Sequence, residues 1–437
     1  MGNLYKPSMF NRVVEKDGNM ILYNSMTGSY GIKRVAKNNQ EKVRSWLNGS
    51  EYLAEDDAFR KLVEYGFMVP IDCDEKLTRK YIQTKCVTDT TLNLVVHLTQ
   101  DCNFRCVYCY RDFSPVSLSV DTQYGIVNFI RKNINKYKAV IISWFGGEPL
   151  MEIDIIEDLS KEIISICRSA GKPYLGIITT NGYLLTPKNV DVLRNAKVND
   201  ICVTIDGLQE THDKQRVLKN QGQTFNKIVN NLLYIKNNVK SPTLNITIRS
   251  NITLAHNEVL EKYYDYFNNL FGDDRRFSLF IRPVADYGGE RVKDITNMID
   301  DMSEVYNYLS KIEKKLKFKM NYEDLNVGGS TCNSKLYNKF TIGCDGSVHK
   351  CDESLLTPIG QLYRDGNMEV KLDCCSKWLC GERSNECDNC FFSLCCFMEG
   401  CPRMRVFKNE KVGCHINKNE VDALICWVAK SYDSEII

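Results

Sequence analysis

The sequence predicts an α/β protein whose centre is an incomplete (β/α) barrel of six units. Short apolar runs alternate with helix-length amphipathic segments between about residues 90 and 325, which is the pattern of βα units that share a parallel sheet. Before this region, Asp17-Gly18 lies between two apolar runs and indicates a β-hairpin. After it the composition changes, because 13 of the 20 cysteines fall between Cys332 and Cys426.

The overall charge gives no sign of a nucleic-acid or membrane partner. The chain has 437 residues with 57 basic and 55 acidic side chains, so the two signs nearly cancel. It has no apolar stretch of about eighteen residues and no apolar signal-peptide core, so we expect a soluble, cytoplasmic protein. In a reducing cytosol so many cysteines are expected to bind metal rather than to form disulfides.

Residues 1–85 are predicted to form a small winged-helix-like domain. The hairpin is followed by two helix-like stretches, 38–48 and 56–66, and either Asp56 or Asp57 can cap the second. A hairpin packed on short helices is typical of winged-helix domains. A DNA-binding wing is disfavoured, because the segment carries no strong basic stripe that would neutralise phosphates.

Residues 86–325 are predicted to form the barrel. The candidate strands are 92–98, 140–145, 174–179, 201–205, 244–250 and 277–283. Six βα units make an incomplete version of the eight-stranded TIM barrel, in which ligands bind at the carboxyl ends of the strands. The run from Cys102 to Cys109 follows the first strand directly, so it lies on the first βα loop at that end.

Cys102, Cys106 and Cys109 have the spacing C-x3-C-x2-C. Three neighbouring thiolates can hold three irons of a [4Fe–4S] cluster, which leaves the fourth iron open to a ligand that is not protein. A zinc site would need a fourth protein ligand nearby. The next cysteine is only Cys167, and His97 lies on a strand-like run where a packed histidine is expected. The spacing therefore favours an iron–sulfur cluster.

This cysteine run resembles the signature of the radical S-adenosylmethionine (SAM) enzymes, whose open iron chelates the amino and carboxylate groups of SAM. After the second strand, residues 146–149 (Gly-Gly-Glu-Pro) resemble the GGEP motif of that family, and residues 179–182 would lie against the SAM pocket. Residues 204–207, with Arg216 further on, resemble its SxDG…HD…R stretch, and Arg249 lies in a stretch like its RxN pattern. The cofactor-binding residues that the resemblance implies are Tyr108, Gly146, Gly147, Glu148, Thr204 and Arg249.

The implied contacts have a physical basis. Glycines let the backbone approach a ligand, and Glu148 can accept hydrogen bonds from the ammonium group of SAM. Arg249 offers a bidentate fork to the SAM carboxylate, and Tyr108 would lend backbone contacts to the adenine. Asp206 and Arg216 could instead form a structural ion pair.

The resemblance also implies the chemistry. A reduced [4Fe–4S] cluster passes one electron to the sulfonium of SAM, the S–C5′ bond breaks, and the 5′-deoxyadenosyl radical abstracts a hydrogen atom from a substrate carbon. The protein positions the reactants and excludes water, while the cofactor supplies the reactivity. A flavodoxin or ferredoxin would donate the electron. The sequence identifies no catalytic acid or base.

The cysteines from Cys332 onward resemble a SPASM domain, predicted at residues 326–437, which carries two auxiliary [4Fe–4S] clusters. Residues 344–347 form a predicted hairpin turn that brings Cys332 and Cys351 together. The implied ligands are Cys332, Cys351 and Cys401 for the first auxiliary cluster and Cys387, Cys390, Cys396 and Cys414 for the second. With the SAM cluster, the chain would hold three [4Fe–4S] clusters.

Three points stay open in this region. Cys395 is adjacent to Cys396 and could replace it, because one gap in the pattern is a residue longer than usual. The fourth ligand of the first auxiliary cluster could be a cysteine, or that iron could be open to a substrate thiolate. The candidate cysteines are Cys344, Cys374, Cys375 and Cys380. A pair of structural zinc ribbons is the alternative for the whole region, since C-x2-C pairs suit zinc equally.

Together the three regions resemble a radical SAM/SPASM peptide maturase of the sactisynthase, ranthipeptide or streptide type. Such an enzyme crosslinks a ribosomally made precursor peptide through a thioether or a carbon–carbon bond, and its N-terminal domain binds the leader of that peptide. The alternative enzyme is an anaerobic sulfatase-maturating enzyme, which makes formylglycine, although the extra N-terminal domain disfavours it. A winged-helix redox sensor is the alternative that is not an enzyme, and the acidic residues around the candidate helices disfavour it. We expect no nucleic-acid or membrane partner.

Overall fold

The computed structural model describes most of the chain. The described residues are 4–49, 52–53, 56–254, 260–285, 291–295, 297–312, 317, 319–320, 322–353, 355–380, 385–397, 401–408, 414, 416–431 and 436–437. The strands are β1 Leu4–Pro7, β2 Asn11–Lys16, β3 Asn19–Asn24, β4 Lys33–Val35, β5 Tyr52–Leu53, β6 Met68–Pro70, β7 Thr91–His97, β8 Ala139–Phe145, β9 Tyr174–Thr180, β10 Val198–Thr204, β11 Asn245–Ile252, β12 Phe277–Pro283, β13 Lys319–Met320, β14 Lys339–Ile342, β15 Ser347–His349, β16 Gly360–Leu362 and β17 Met368–Val370. The helices are α1 Gln40–Asn48, α2 Asp57–Glu64, α3 Glu75–Val87, α4 Val120–Asn133, α5 Ile153–Ser169, α6 Pro187–Asn195, α7 Gln209–Gln215, α8 Phe225–Asn238, α9 Leu260–Phe271, α10 Ser303–Ile312, α11 Leu372–Leu379, α12 Asn385–Asp388, α13 Pro402–Lys408 and α14 Lys418–Ser431. None of the helices in these ranges is both long and apolar enough to cross a membrane.

A parallel sheet of six consecutive strands, β7 to β12, forms the centre of the molecule. Helices follow these strands, and the apolar faces of α5, α6, α8 and α9 are buried in the main hydrophobic core. This arrangement confirms the predicted α/β class with a partial (β/α)6 barrel. β13 and β14 extend the sheet at its two edges and are also parallel to their neighbours.

The fourth barrel strand departs most from its predicted start. β10 begins at Val198, three residues before the predicted strand, and Val198 is buried. Lys197 has a φ of 54°, a left-handed turn conformation that ends the preceding loop and lets the strand begin directly after it. The start of β10 could not be predicted from the sequence, because the polar pair Asn199-Asp200 interrupts the apolar run.

Two small antiparallel sheets form the N-terminal region, one in the order β5-β1-β6 and one in the order β2-β3-β4. The predicted hairpin is confirmed: β2 pairs with β3 across Asp17 and Gly18, whose φ values of 51° and 72° are those of a tight turn. Asp56 caps α2, since its side chain accepts a hydrogen bond from the backbone N–H of Ala58 at 2.7 Å. Helix α3 was not predicted from the sequence.

The N-terminal region packs against the last residues of the chain. Arg12 and Asp422 form a two-pronged ion pair, in which Nε lies 2.8 Å from Oδ1. The backbone N–H of Ile437 donates to the carbonyl of Arg34 at 2.9 Å, and Ile437 in turn accepts from the N–H of Ala36 at 2.9 Å. Residues at opposite ends of the sequence therefore share one folded unit.

The cysteine-rich region continues the central sheet. β14 lies parallel to β7, and β14, β15, β16 and β17 form an antiparallel meander beyond it. The predicted turn before β15 is confirmed, with Gly346 at a φ of 84°. Because β14 is a direct neighbour of the first barrel strand, this hairpin lies beside the first βα loop.

A core substitution tests the N-terminal cluster. Leu62 on α2 is fully buried, with 0% exposure, among Val43, Phe59 and Phe67, whereas Leu77 on α3 is 62% exposed. Leu62→Ala is expected to cost about 2–5 kcal/mol of local stability through lost burial and a residual cavity. Thermal unfolding followed by circular dichroism should show a lower first transition for Leu62→Ala than for the matched control Leu77→Ala. Equal transitions would contradict the assigned core.

Candidate functional site

The first βα loop carries three cysteines into one cavity. Cys102 and Cys106 are buried and Cys109 is partly buried, and all three line one cavity at the carboxyl end of the sheet. Local hydrogen bonds hold the loop: the N–H of Phe104 donates to Cys102 Sγ at 3.3 Å, and the N–H of Cys109 donates to the carbonyl of Cys106 at 3.2 Å. The predicted cysteine set therefore shares one cavity.

Two glycines at the end of β8 lie directly against this loop. Gly147 donates its N–H to the carbonyl of Thr99 at 2.9 Å, and a Cβ on Gly147 would lie 1.9 Å from the carbonyl oxygen of Asp101. Gly146 has a φ of 131°, which few other residues adopt, and its Cβ would lie 2.5 Å from the Thr99 carbonyl oxygen. Only glycine at both positions lets the second loop meet the cysteine loop.

Glu148 joins the second loop to the third. Its carboxylate is buried and accepts hydrogen bonds from Thr180 Oγ1 at 2.6 Å, from the N–H of Asn181 at 2.8 Å and from the N–H of Leu150 at 3.1 Å. Burial raises the pKa of Glu148, and these hydrogen bonds oppose that shift. Glu148 lines the cavity, but three protein donors already share its oxygens.

Asn181 reaches the cysteine loop from the end of β9. Its Nδ2 donates to Asn103 Oδ1 at 2.7 Å and lies 3.9 Å from Cys102 Sγ. The sequence assigned no role to this side chain by itself. The signal for it was its position, since it follows the last residue of the third barrel strand.

A buried polar network holds Tyr108. Its hydroxyl donates to Asp206 and accepts from Arg216 Nη1 at 2.5 Å and from Asn251 Nδ2 at 3.2 Å. Asp206 also accepts from the N–H of Asn251 at 2.8 Å, and its carboxylate lies 3.6 Å from Arg216. The suspected ion pair of Asp206 and Arg216 therefore exists, and it ties the cysteine loop to the ends of β10 and β11.

The charge of Arg216 suits its surroundings. Burial would lower the pKa of Arg216, but the thiol of Cys106, the Tyr108 hydroxyl and the Asp206 carboxylate raise it well above its ordinary value. Arg216 thus stays cationic beside the cysteine loop, where its guanidinium also lies 5.7 Å from the ring centre of Phe104. The sequence did not show the full surroundings of Arg216, because Cys106 and Tyr108 lie about a hundred positions away along the chain.

Thr204 and Arg249 are side by side on adjacent strands, as the register of β10 and β11 shows. Both line a second cavity, together with Asn251 and Glu353. Arg249 Nε donates to Asn251 Oδ1 at 3.0 Å. The two cavities adjoin, since both are lined by Tyr108, Tyr110, Phe145, Thr179 and Thr204. All six predicted cofactor-binding residues line one or both of them.

The thiols around the first cavity fit an iron–sulfur cluster. Burial raises the pKa of Cys102 to about 12 and that of Cys106 to about 11, so free thiolates there are unfavourable until a cation compensates them. Three convergent cysteines are the donor set that such clusters use. Within the described ranges, no group of three or more His, Cys, Asp or Glu side chains could hold a single metal ion.

Some of the other predicted cysteine ligands have neighbouring thiols, in two groups. In the first group, burial raises the pKa of Cys351 to about 11 and the thiol of Cys332 adds to the shift. In the second group, burial raises the pKa of Cys390, and the thiols of Cys414 and Cys387 add to the shift. The resemblance also implied Cys396 and Cys401 as ligands, with Cys344 as a candidate for the fourth ligand of the first auxiliary cluster; Cys396 and Cys401 are partly buried. The structure separates Cys344 from the first group, because it lies at the closed end of the β14–β15 hairpin with its thiol donating to the carbonyl of His97 at 3.2 Å.

Cys395 and Cys396 have different surroundings. Cys395 is fully buried, its Sγ lies 3.0 Å from the hydroxyl of Tyr23, and its thiol donates to the carbonyl of Leu325 at 3.4 Å. Burial raises the pKa of Cys395 to about 12. Cys395 thus points into the contact between the N-terminal region and the barrel, whereas Cys396 is partly buried.

Comparison with known families identifies the central region. Residues 96–263 match the family model of the Radical SAM superfamily. This segment is a radical SAM domain. The match begins on β7 and ends within α9, so it contains the cysteine loop, the glycine pair and the Tyr108 network.

Relatives by sequence include enzymes of several kinds. The chain is 25% identical over 311 residues to the cysteine-type anaerobic sulfatase-maturating enzyme of Clostridium novyi (strain NT), a match that covers 64% of this chain and 76% of that enzyme. It is 26% identical over 126 residues to the Fe-coproporphyrin III synthase of Methanosarcina barkeri (strain Fusaro / DSM 804). That second match covers 29% of this chain and only 30% of the synthase.

Two solved structures share the fold. Native anSMEcpe with bound AdoMet and the Cp18Cys peptide superposes with a TM-score of 0.57 at 16% identity, covering 78% of this chain and 97% of that one. Streptococcus suis SuiB bound to the precursor peptide SuiA superposes with a TM-score of 0.50 at 16% identity, covering 93% of this chain and 97% of that one. The chain thus contains a radical SAM domain and shares the fold of anSMEcpe and SuiB.

Gly147→Ala tests the contact between the first two loops. The new Cβ would collide with the backbone of Asp101, so the cysteine loop must move. Since a displacement of about 1 Å can cost on the order of a hundredfold in rate, SAM cleavage by the radical SAM domain should fall by that order. Production of 5′-deoxyadenosine measures it.

Gly222→Ala is the matched control, because its Cβ would meet only the end of the Leu218 side chain, at 2.8 Å. Full SAM cleavage in Gly147→Ala would show that the loops do not need this close approach.

Proposed function

We propose that the enzyme modifies a ribosomally made precursor peptide by forming an intramolecular crosslink, a thioether or a carbon–carbon bond. The observation that carries this proposal is the extent of the structural match. The likeness to anSMEcpe covers 78% of this chain, whereas the likeness to SuiB covers 93% of it. SuiB is a protein that binds a precursor peptide, so a fold match over nearly the whole chain supports a peptide substrate here.

The proposed cofactors are SAM and three [4Fe–4S] clusters. Cys102, Cys106 and Cys109 would hold the SAM cluster, which supplies the electron that cleaves SAM when both are bound. The Tyr108 hydroxyl network would fix this loop against β10 and β11, and the closely packed first two loops would exclude water from the reacting atoms. A flavodoxin or ferredoxin is the proposed electron donor.

The proposed auxiliary clusters lie in the region 326–437, as a SPASM domain. Cys387, Cys390, Cys396 and Cys414 would hold the second of them. The surroundings of Cys395 support Cys396 as the ligand, because a thiol packed against Tyr23 and Leu325 would have to leave the core to reach a cluster. Structural zinc is the alternative occupant of these cysteines.

The N-terminal region, residues 1–85, is proposed to bind the leader of the precursor. Extended peptides are commonly captured by addition to a sheet edge, and both small N-terminal sheets have edge strands. In the β2-β3-β4 sheet, Arg34 on β4 already forms a bridge with Ile436, so β2 is the more accessible edge for a leader. β2 is a strand of six residues, long enough for several backbone hydrogen bonds.

Arg249 is proposed to bind the SAM carboxylate. Within the described residues, Nε is the one guanidinium nitrogen of Arg249 that donates to a protein atom, so the rest of the fork faces the cavity. Arg216 is less suited, because Tyr108 and Asp206 already engage it.

Arg249→Gln should weaken SAM binding by about ten- to a hundredfold, the equivalent of a lost charge-assisted hydrogen bond of about 1.5–3 kcal/mol. Equilibrium dialysis of labelled SAM against the anaerobically reconstituted protein measures the affinity. Arg194→Gln is the control, since Arg194 is an exposed helix residue paired only with Asp191 within the described residues. An unchanged affinity in Arg249→Gln would assign the carboxylate to another group.

A sulfatase-maturating activity is the second candidate. The observation that favours it is the relative from Clostridium novyi, which matches 64% of this chain. The product would then contain formylglycine made from a cysteine or serine of a sulfatase.

Mass spectrometry of the products separates the two candidates. The reduced enzyme and SAM would be incubated with short peptides encoded beside this gene and, separately, with a peptide that carries a sulfatase cysteine motif. The proposed crosslink predicts that a neighbouring peptide loses two hydrogen atoms and gains a link between two residues. Conversion of the cysteine to formylglycine in the sulfatase peptide alone, in which oxygen replaces the sulfur and two hydrogen atoms are lost, would instead establish the second candidate.

A further inference from the structure

Asn181 lies in a firmly held turn directly after β9. Gly182 follows it with a φ of 79°, a conformation that glycine adopts readily. The backbone N–H of Asn181 donates to the Glu148 carboxylate at 2.8 Å, and Asn231 on α8 donates to the carbonyl of Gly182 at 2.9 Å. Asn181 itself is buried. Its side chain is therefore held in one place beside the cysteine loop.

The hydrogen bonds of the Asn181 side chain fix which way its amide points. Oδ1 accepts from the N–H of Tyr183 at 3.0 Å, two residues further along the chain, as in an Asx turn. Because the oxygen is engaged there, the nitrogen faces the cysteine loop. Nδ2 donates one N–H to Asn103 Oδ1 at 2.7 Å. An amide nitrogen carries two hydrogen atoms, so a second N–H remains for another acceptor.

The sulfur of Cys102 is the acceptor beside this second N–H. Asn181 Nδ2 lies 3.9 Å from Cys102 Sγ, and hydrogen bonds to sulfur are longer than those to oxygen because the sulfur atom is larger. The backbone N–H of Phe104 donates to the same Sγ at 3.3 Å. Two N–H groups therefore surround the Cys102 sulfur, one from its own loop and one from the loop after β9.

Binding of iron to Cys102 would strengthen these hydrogen bonds. A free thiol can donate its own hydrogen, and Cys102 Sγ lies 3.8 Å from Asn103 Oδ1, but an iron-bound thiolate only accepts. Hydrogen bonds to charged acceptors are roughly twice as strong as those between neutral groups. A reduced cluster carries one more negative charge than an oxidised one, so a donor at its sulfur stabilises the reduced state more. Hydrogen bonds to the sulfurs accordingly help to set the reduction potential of iron–sulfur clusters.

We propose that Asn181 is a positioning residue that donates an N–H···S hydrogen bond to the iron-bound Cys102 and so raises the reduction potential of the SAM cluster. This inference rests on the proposed function, since it presumes that Cys102, Cys106 and Cys109 hold that cluster. A higher potential keeps a larger fraction of the cluster reduced at the potential of a given electron donor. Asn181 thus acts on the reaction through the Cys102 sulfur.

A redox titration of the Asn181→Ala variant tests this role. The full chain is reconstituted anaerobically with iron and sulfide and titrated electrochemically, and electron paramagnetic resonance measures the reduced clusters. The signal that changes when SAM is added belongs to the SAM cluster, which separates it from the auxiliary clusters. At the midpoint potential of the wild type, the ratio of reduced to oxidised SAM cluster should be about tenfold lower in Asn181→Ala, a midpoint lowered by about 59 mV for one electron.

A second variant and a control separate the hydrogen bond from the turn that carries it. Asn181→Ser keeps the turn, because a serine hydroxyl can also accept from the N–H two residues further on, but its side chain is too short to reach Cys102. It should show the same lowered midpoint. Asn231→Ala is the matched control, since it removes the hydrogen bonds to the carbonyls of Gly182 and Tyr183 and leaves the Asn181 amide in place. It should keep the wild-type midpoint, and iron content and SAM affinity should be unchanged in all three variants.

The outcomes separate this inference from the function on which it rests. An unchanged midpoint in Asn181→Ser would overturn the role of Asn181 and leave the proposed cluster intact. So would an equal shift in Asn231→Ala, because the rigidity of the turn would then set the potential, and so would a loss of iron from both Asn181 variants, which indicates a structural role. A wild type without an iron–sulfur signal that responds to SAM would overturn the cluster proposed for Cys102, Cys106 and Cys109, and this inference with it.

Discussion

The site depends on how closely the first two βα loops approach each other. The carboxyl ends of parallel strands lie at one edge of a sheet, so the βα loops that follow them are neighbours. To enclose a small reactive site, these loops must also pack closely against each other. Here the backbone of Gly147 lies so near that of Asp101 that no side chain fits between them. The hydrogen bond from Gly147 to Thr99 fixes this distance. Glu148, directly after the glycine pair, accepts hydrogen bonds from Thr180 and Asn181 and so fixes the third loop to the second.

The polar network around Tyr108 extends this constraint across the sheet. Asp206 follows the fourth barrel strand, and Asn251 lies near the end of the fifth. Both form hydrogen bonds with the hydroxyl of Tyr108, which lies between Cys106 and Cys109. Arg216 adds a positive charge to this network, and the neighbouring Cys106, Tyr108 and Asp206 stabilise that charge. Hydrogen bonds in a buried network support one another, so the loss of one member of this network is expected to disturb the cysteine loop.

Much of the barrel could be predicted from the sequence, because its strands are apolar runs of ordinary length and its cysteine spacing is distinctive. The side chains that complete the site were harder to find. Asn181 and Asn251 are common polar residues near strand ends, and only pairing across the sheet shows that they meet the cysteine loop. β10 was shortened in the prediction because of two polar residues, and helix α3 was missed. The hairpin register that separates Cys344 from Cys351 is likewise a property of the folded chain.

The contact between the two ends of the chain has a consequence for the order in which the protein is made. Arg34 pairs with Ile437, and Arg12 pairs with Asp422, so these N-terminal strands find their partners only after about four hundred further residues have been synthesised. Contacts between such distant residues form late, because a long loop must close first. Until then the N-terminal sheets lack part of their packing surface. The N-terminal region therefore completes its packing only together with α14 and the residues at Ile437.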